Sequence, residues 1–439
     1  MHLIIRNVGP IKNVDINLNK INIIIGPQSS GKSTINKIAC YLSWVEKKIC
    51  VDQSFDFFYS QNVFLQNLEV FHNLEDYVNE KSYIKYVSDV LSIEFNASES
   101  SIPKFSWNNR YEYKRPKISY IPAERNVVSV IPNWIEVTLP KNNIKNYMTD
   151  WNEARYIYDK EHPLFIESLD IEYYYDNDLK NDFITILEDN DKKKIKLTTA
   201  SSGTQSLIPI YVLIGYFLKT INNTEELGSI KEDSANKELE SKLTNYLIDK
   251  EVGNSVDTWI RKIDEFIKQV ESLSEEANLK KKNSKLKKII KSPIGKFVSE
   301  ASELRNNYLK NNHLKLFLEE PESNLFPSTQ QQLLYYLVEQ SNTIEDSILM
   351  ITTHSPFILY ALNNCILGGQ LKDITTKNKS FHSYKSWIDP DKVSIWEIYD
   401  GQLKDIKDSE QKVIGQHYFN DIMGDTLKEY SNILKCFKK

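Results

Sequence analysis

The fold of this 439-residue chain is decided by one stretch near its start, Ile21-Asn22-Ile23-Ile24-Ile25-Gly26-Pro27-Gln28-Ser29-Ser30-Gly31-Lys32-Ser33-Thr34. Its first five residues are apolar except for Asn22, which predicts a buried β-strand. Gly26 and Gly31 interrupt the apolar run, and a helix is predicted from Lys32 to beyond Cys40. Glycines let successive backbone N–H groups converge, and the following helix N-terminus adds a partial positive charge. The stretch therefore predicts a loop that binds phosphate groups.

This loop matches the pattern G-x-x-x-x-G-K-[ST] in full, in the strand-to-helix context that the pattern requires. ATP and Mg²⁺ are therefore the predicted cofactors. We expect Lys32 to reach the β- and γ-phosphates as a catalytic cation, and the Ser33 hydroxyl to ligate the metal. The predicted nucleotide-binding residues of the loop are Gly26, Pro27, Gln28, Ser29, Ser30, Gly31, Lys32, Ser33 and Thr34.

Two carboxylates end an apolar strand at Leu316-Phe317-Leu318-Glu319-Glu320. A strand end beside a phosphate loop is where such an enzyme needs a metal ligand and a group that orients water. We assign Glu319 to the metal and Glu320 to the attacking water. A second apolar strand, Ile348–Ile351, leads to His354, which we expect to contact the γ-phosphate as a catalytic residue.

A second serine- and glycine-rich turn, Ser201-Ser202-Gly203-Thr204-Gln205, precedes a long apolar helix. Its hydroxyls and amides form either another anion-binding helix start or an ordinary N-cap. One ATP molecule cannot easily be held by both this turn and the first loop in the same subunit.

The rest of the chain follows an α/β pattern. Alternating apolar residues predict strands at Leu3–Asn7, at Val14–Leu18 and within Ile93–Tyr120, whereas Val51–Val90 is predicted to be helical. Between Asn222 and Asn311, Glu, Lys, Ser and Asn dominate, and apolar residues recur at helical spacing. This region predicts an inserted helical hairpin or short coiled coil, with Lys280, Lys281, Lys282, Lys285, Lys287, Lys288 and Lys291 as either a nucleic-acid or partner contact or a solvated surface.

Bulk composition excludes several classes of protein. The net charge is −5, and the basic residues are mostly lysine, so sequence-specific DNA readout is not expected. The four cysteines have no CxxC spacing, which argues against a disulfide frame or a zinc site. The N-terminal residues lack the layout of a signal peptide, and no membrane partner is expected. The predicted location is cytoplasmic.

As a set, these motifs resemble the ABC-type P-loop ATPase head, in the branch shared by SMC proteins, RecF and the overcoming-lysogenization-defect (OLD) family. Gly26–Ser33 corresponds to the Walker A motif, Leu316–Glu320 to Walker B and Ser201–Gln205 to the signature. Glu322–Leu325 corresponds to the D-loop and His354 to the switch histidine. The resemblance implies that ATP is sandwiched between two heads, as a homodimer or higher homo-oligomer. It also adds residues of the signature and D-loop to the nucleotide-binding set, namely Ser201, Ser202, Gly203, Gln205 and Asn324.

The chain also departs from the family pattern. Glu319 stands where most ABC proteins have Asp, although the run from Glu319 to Pro327 is similar to the version in OLD-like bacterial ATPases. The string Tyr120–Asn126 resembles another motif of those ATPases, which places Arg125 either near the nucleotide or in a surface loop. The Q-loop glutamine is unassigned among Gln53, Gln61 and Gln66.

Five segments are predicted. They are 1–50, the N-terminal lobe of the head with the P-loop; 51–165, a helical and strand insertion; 166–221, the head with the signature; 222–311, the charged helical insertion; and 312–439, the C-terminal lobe with Walker B, D-loop and switch histidine.

Functionally, the motif set resembles the ATPases of Septu, PARIS and retron-type antiphage defence systems. The resemblance implies an ATP-dependent dimer that controls a separate effector, a nuclease or a toxin. The residues after His354 leave no room for the Toprim nuclease domain of OLD proteins, so no nuclease activity of its own is expected. Two alternatives remain: a RecF-like repair ATPase that binds DNA directly, and a nucleotide-gated scaffold that holds a toxin with little turnover.

Overall fold

A computed structural model describes residues 1–60, 62–131, 136, 140–188, 191–222, 230–252, 256–274, 279–371 and 380–437. Gln61 lies outside them. The described strands are β1 (His2–Val8), β2 (Ile11–Asn17), β3 (Ile21–Ile25), β4 (Val78–Val87), β5 (Leu91–Asn96), β6 (Lys104–Trp107), β7 (Pro116–Ile121), β8 (Leu164–Ile166), β9 (Ile171–Asp176), β10 (Asn181–Glu188), β11 (Asp191–Lys196), β12 (His313–Glu319), β13 (Ile348–Thr353), β14 (Val393–Tyr399) and β15 (Gln402–Asp405).

The described helices surround these strands. They are α1 (Lys32–Asp52), α2 (Asp56–Tyr59), α3 (Val63–His72), α4 (Val127–Val130), α5 (Asn143–Arg155), α6 (Ser202–Asn222), α7 (Ile230–Val252), α8 (Val256–Ser274), α9 (Leu279–Lys291), α10 (Pro293–Leu309), α11 (Pro327–Asn342), α12 (Pro356–Leu371) and α13 (Tyr418–Phe437).

The main sheet has the strand order β6-β5-β4-β1-β2-β15-β14-β3-β13-β12-β7. Its central part, from β14 to β7, is parallel, and the part from β6 to β2 is antiparallel. The parallel strands are covered by helices on both faces and are nearly continuous apolar runs; every residue of β3 and β12 is buried. A separate antiparallel sheet has the order β11-β10-β9-β8. The predicted α/β class with helical insertions is confirmed.

One secondary-structure prediction was wrong. The segment Val51–Val90 was expected to be helical, but Val78–Val87 forms β4 and pairs antiparallel with β1. Its buried residues, Ser82, Ile84 and Tyr86, alternate with more exposed ones, which is strand periodicity. The helical prediction holds only for α2, α3 and the end of α1.

The insertion between the signature and Walker B is helical, as predicted. Its described residues form four helices, α7 to α10, rather than one hairpin. The α7 helix packs against α10, and α8 packs against α9. Leu239, Leu243 and Leu247 of α7 are buried in the same apolar core as α1, so the insertion rests on the head.

The α6 helix lies in the core of the head. Ser202–Ile221 is the one described helical stretch long and apolar enough to cross a membrane by length and composition. Most of it is buried, however, and residues such as Leu213 and Phe217 pack in the core with the second sheet and α11.

The register of the parallel strands brings the predicted motifs to one edge. Thr353 pairs with Ile25, the last residue before the glycine loop. Glu319 pairs with Thr352, and Leu318 pairs with Ile121. The segments that follow β3, β13, β12 and β7 therefore meet at the carboxyl edge of the sheet, where ligands of α/β folds bind.

Candidate functional site

The glycine loop has a backbone that only glycine accommodates at two points. Gly26 has φ +148° and Gly31 has φ +106°. A Cβ atom at Gly26 would collide with the carbonyl group of Ile398 in β14. Gly31 is also the N-cap of α1, and no side chain caps that helix. The free N–H groups at the start of a 21-residue helix therefore fit an anion.

Lys32 lies folded against the same loop. Its Nζ atom donates hydrogen bonds to the carbonyl oxygens of Gly26, at 2.9 Å, and Pro27, at 2.6 Å. Burial lowers the pKa of Lys32 to about 8, although Glu320, Glu322 and Glu319 oppose this shift. The ammonium group is thus held beside the loop by weak acceptors that a phosphate group would replace.

Glu319, at the end of β12, fits a metal ligand. Its side chain is buried, and its Oε1 atom has no hydrogen-bond partner among the described residues. Burial raises the pKa of Glu319, and the hydroxyl groups of Tyr120 and Ser33 partly oppose the rise. The carboxylate and the Ser33 hydroxyl are thus neighbours, and hard oxygen ligands of this kind suit Mg²⁺.

Glu320 differs from Glu319 in backbone and in charge. It has φ +42°, an uncommon value for a residue with a side chain, and its N–H donates to the Thr352 carbonyl at 2.8 Å. Its Oε1 atom lies 3.4 Å from Nε2 of His354. This contact with His354 lowers the pKa of Glu320. Glu320 is therefore an ionised carboxylate at neutral pH, suited to orient water.

Glu322 is a site residue whose role the sequence did not indicate. It is largely buried, and its Oε1 atom accepts a hydrogen bond of 2.5 Å from the backbone N–H of His354. Within the part of the chain that the structure describes, its Oε2 atom has no hydrogen-bond partner. Burial raises the pKa of Glu322, and the bond from His354 opposes the rise. Glu322 therefore positions His354, while the imidazole faces Glu320.

The signature turn begins α6 with its serines exposed. The backbone N–H of Thr204 donates to the Ser201 hydroxyl at 3.3 Å, as in an N-cap, and both Ser201 and Ser202 are exposed. Gln205 points inward, since its Nε2 atom donates to the carbonyls of Leu197 and Thr198. Gln205 thus attaches the turn to the segment that precedes it in the chain.

The D-loop packs directly on the start of α6. The Asn324 side chain donates to the Ser206 hydroxyl at 3.1 Å. A Cβ atom at Gly203 would lie 2.7 Å from the Asn324 carbonyl oxygen, so the close approach requires glycine. The predicted nucleotide residues Gly203 and Asn324 therefore lie together and fix the orientation of the signature turn relative to Walker B.

Arg125 connects the signature to Walker B. Its side chain is fully buried. Its guanidinium group donates four hydrogen bonds, to the carbonyl oxygens of Ser206 (3.0 Å), Glu319 (3.0 Å), Glu320 (2.9 Å) and Pro321 (3.1 Å). Burial lowers the pKa of Arg125. The surface-loop interpretation was wrong, because Arg125 is enclosed by protein. The other interpretation, that Arg125 lies near the nucleotide, stays a prediction; its guanidinium group contacts the backbone of Glu319 and Glu320.

Gln53, one of the three glutamines considered for the Q-loop, does not lie at this edge. Gln53 is the C-cap of α1, at the end of the helix opposite the glycine loop, and is held by Arg110. At this edge the structure instead places Glu124, an exposed residue after β7, near Glu319.

An exposed aromatic residue, Tyr399, lies beside the glycine loop. It follows Ile398, which contacts Gly26, and 70% of its surface is exposed. The next residue, Asp400, forms a 2.7 Å ion pair with Lys12. Tyr399 carries no signal in the sequence that relates it to the loop, because only the pairing of β14 with β3 brings it there.

Comparisons with known proteins give distant structural likenesses. No protein-family model matches the chain, and no curated protein matches it. The chain is similar to an SMC head domain from Thermotoga maritima, with 10% identity, 92% of this chain and 97% of that chain covered, and a TM-score of 0.35.

Two further solved structures are similar over most of their lengths. One is the recombination mediator protein RecF with ATPrS, with 13% identity, 92% and 97% coverage and a TM-score of 0.26. The other is an Smc head domain with an extended coiled coil, bound to the C-terminal domain of ScpA, from Pyrococcus furiosus, with 11% identity, 100% and 99% coverage and a TM-score of 0.29. The arrangement of the candidate site is given by the chain's own sheet order and motif placement.

Proposed function

We propose that this protein hydrolyses ATP with Mg²⁺ as cofactor. One observation carries the proposal: an uncapped glycine loop with its lysine lies at the same sheet edge as an ionised carboxylate, Glu320. The loop N–H groups and Lys32 would bind the β- and γ-phosphates, and Ser33 with Glu319 would ligate the metal. The metal would neutralise charge on the phosphates.

Glu320 is the proposed acceptor for the proton of the attacking water. Its low pKa keeps it ionised, and His354 lies against it. His354 is in turn positioned by Glu322, so its imidazole is available to the γ-phosphate. Glu319, with its raised pKa and unpartnered oxygen, is better suited to a metal than to proton transfer.

We propose further that two copies enclose each ATP molecule. The support is the exposed signature turn, which the D-loop and Arg125 hold from behind while Ser201 and Ser202 remain accessible. A two-fold dimer would place the signature of each copy over the P-loop of the other.

We propose that the biological role of the protein is to control an effector in bacterial antiphage defence. Formation of the ATP-bound dimer would be the change that controls the effector. Its support is the resemblance of the motif set to OLD-like and defence ATPases. The five-segment division and the cytoplasmic location belong to the same proposal. The scaffold alternative is disfavoured by Glu320, since holding a toxin does not require a catalytic carboxylate.

A RecF-like role in direct DNA binding is the second candidate. The observation that favours it is the α9 helix, where Lys281, Lys287 and Lys288 are exposed. Sequence-independent phosphate contacts of this kind weaken steeply with salt. ATP-dependent DNA binding that is lost when these lysines become glutamines would support this role.

The proposed activity is tested by measuring ATP turnover against protein concentration for the wild type and Glu320→Gln. Loss of the carboxylate should lower turnover by roughly 10²- to 10⁴-fold while ATP still binds. Turnover per subunit should rise with wild-type concentration, because the sites are completed by a second copy. Equal turnover in both proteins would overturn the assignment of Glu320.

A further inference from the structure

A cleft of about 920 Å³ lies between the helical insertion and the head. Leu247 of α7 and Leu304 of α10 line it from the insertion, and His313 and Lys315, at the start of β12, line it from the head. β12 continues from His313 to Glu319, so the cleft lies about 20 Å from the nucleotide edge, given about 3.3 Å of rise per residue. It is therefore a separate site, at the amino edge of the parallel sheet.

The walls of this cleft carry more negative than positive charge. The carboxylates among its described lining residues are Glu46, Asp89, Glu112, Glu300, Glu303 and Asp346. The positive groups are Lys114, Lys250, Lys315 and the amino group of Met1. An excess of carboxylates favours a cationic occupant, and it disfavours nucleotides and nucleic acids, whose phosphates are negative.

Half of the carboxylates already have an ammonium partner within the chain. The pairs are Glu46 with Lys315 at 2.8 Å, Asp346 with Lys114 at 2.6 Å, and Glu300 with Lys250 at 3.8 Å. Among the described residues, Asp89, Glu112 and Glu303 have no ion-pair partner within 4.0 Å. The excess negative charge of the cleft therefore lies with these three side chains.

The three carboxylates without ion-pair partners come from three different segments. Asp89 lies between β4 and β5, Glu112 lies between β6 and β7, and Glu303 lies on α10. The described residues contain no group of three His, Cys, Asp or Glu side chains placed to hold a metal ion. An organic cation whose charges are spread along a chain therefore fits this arrangement better than a metal ion.

Two buried side chains of the cleft lack hydrogen-bond partners. His313 is 7% exposed and Tyr113 is 2% exposed, and both line the cleft. Among the described residues, neither Nδ1 of His313 nor the hydroxyl group of Tyr113 has a partner. Burial lowers the pKa of His313 to about 3, so its imidazole is neutral and has one acceptor nitrogen. Unpartnered acceptors beside an excess of carboxylates indicate a ligand that donates hydrogen bonds.

We propose that this cleft binds a small linear polyamine, an alkyl chain that carries two or more ammonium groups. The ammonium groups would contact Glu112 and Glu303, and the alkyl chain would lie against Leu247 and Leu304. The volume of the cleft is within the range of about 300–1,000 Å³ that is typical of small-molecule sites. Because insertion and head both line the cleft, the bound polyamine would hold them together. The proposal is independent of ATP hydrolysis, since no residue of the candidate nucleotide site lines the cleft.

Calorimetric titration of the full chain with spermidine, without nucleotide, tests this site. The wild type should show saturable binding, and spermidine should raise its midpoint of thermal unfolding because the ligand binds the folded state. Glu112→Gln combined with Glu303→Gln should weaken binding at least roughly tenfold, since charge-assisted hydrogen bonds are lost. Both residues are exposed, so the variant should fold, which its unfolding midpoint without spermidine checks.

Asp425→Asn combined with Glu429→Gln is the matched control. It removes the same two negative charges from α13, where both residues are exposed and neither lines the cleft. This variant should bind spermidine as the wild type does. A wild type without saturable binding, or equal weakening in the two double variants, would overturn the proposal. Displacement of spermidine by an equal concentration of Mg²⁺ would also overturn it, because only diffuse charge would then attract the cation. Since every measurement omits ATP, failure here leaves the proposed ATPase activity untouched.

Discussion

The P-loop and the signature turn are both glycine- and serine-containing starts of 21-residue helices, α1 and α6, yet they differ in what surrounds them. Around the P-loop, the same chain supplies a lysine, a buried carboxylate and an ionised carboxylate. Around the signature turn, Arg125 and Asn324 donate hydrogen bonds to Ser206 on the inner side of the turn, and the serines Ser201 and Ser202 are exposed.

This difference assigns the two helix starts different roles in the proposed site: the P-loop region would carry out the reaction, and the signature turn would complete the site of another copy. In the proposed site, the groups that would bind phosphate and orient water lie around the P-loop of one chain. The signature turn has N–H and hydroxyl donors suited to an anion, with its rear fixed rigidly to the Walker B segment. In the proposed dimer, the ATP phosphates bound by a second copy are the anion that the signature turn contacts. The hydrogen bonds of Arg125 would then connect that contact to the Walker B segment.

Two substitutions should separate the roles of these helix starts most strongly. Ser202→Arg places a bulky cation on the exposed turn and should lower ATP turnover at least roughly 10²-fold, because the composite site cannot close. ATP binding to the single chain should be unchanged. Lys32→Ala should weaken ATP binding itself by roughly 10²-fold, since a charge-assisted bond is lost. Calorimetry and phosphate release measure these effects.

If Ser202→Arg weakened ATP binding as much as Lys32→Ala did, both turns would belong to one intramolecular site. Ser202→Ala is the matched control, because it removes only the hydroxyl group and keeps the turn open. It should retain most of the turnover.

The link between the two regions should depend on Arg125. Arg125→Met keeps the volume but leaves four carbonyl oxygens without their donor, which should cost about 3 kcal/mol in the free energy of unfolding. Turnover should fall even where the variant is folded, because the signature and Walker B are no longer joined. Urea unfolding and turnover at low temperature measure the two effects.

Arg155→Met is the control for that substitution. It removes another largely buried guanidinium group, which lies 3.5 Å from Asp182 and away from the sheet edge. It should destabilise the protein with little effect on turnover. Equal turnover losses in the two folded variants would mean that Arg125 has only a structural role.

The charge of the P-loop lysine predicts proton uptake on ATP binding. Burial lowers the pKa of Lys32 to about 8, so near pH 8 about half of the lysine is neutral. Bound phosphates favour the ammonium form and raise this pKa, so ATP binding at pH 8 should take up about half a proton at most. Uptake by Lys32 should vanish below about pH 6.5, where the lysine is already charged.

Calorimetry in two buffers with different ionisation enthalpies measures this uptake. Lys32→Arg should abolish it, because arginine remains charged throughout this range. Identical uptake in both proteins would assign the proton to another group.

The smallest effect is expected at Tyr399. If its exposed ring stacks on the adenine base, Tyr399→Ala should weaken ATP binding by about 1 kcal/mol, roughly fivefold. Tyr399→Phe should bind normally. An unchanged affinity in the alanine variant would exclude a base contact.

How far the sequence predicted the structure depends on how local the relevant contacts are. The strand Ile21–Ile25 and the helix start at Lys32 were predicted correctly, because apolar patterning and glycine act over a few residues. β4 was misassigned because the residues of β1 that pair with it lie 70 to 85 residues away along the chain. The link through Arg125 was not foreseen, since its acceptors lie 81 to 196 residues along the chain.

In the proposed dimer, the P-loop of each copy becomes a complete ATP site when the signature turn of the other copy covers it. The direct test mixes Lys32→Ala with Ser202→Arg, each inactive alone. If signature and P-loop act across the dimer, half of the randomly mixed dimers hold one intact site, and turnover should recover to about a quarter of the wild-type value. Mixtures of folded variants that stay inactive, although they associate, would contradict the account.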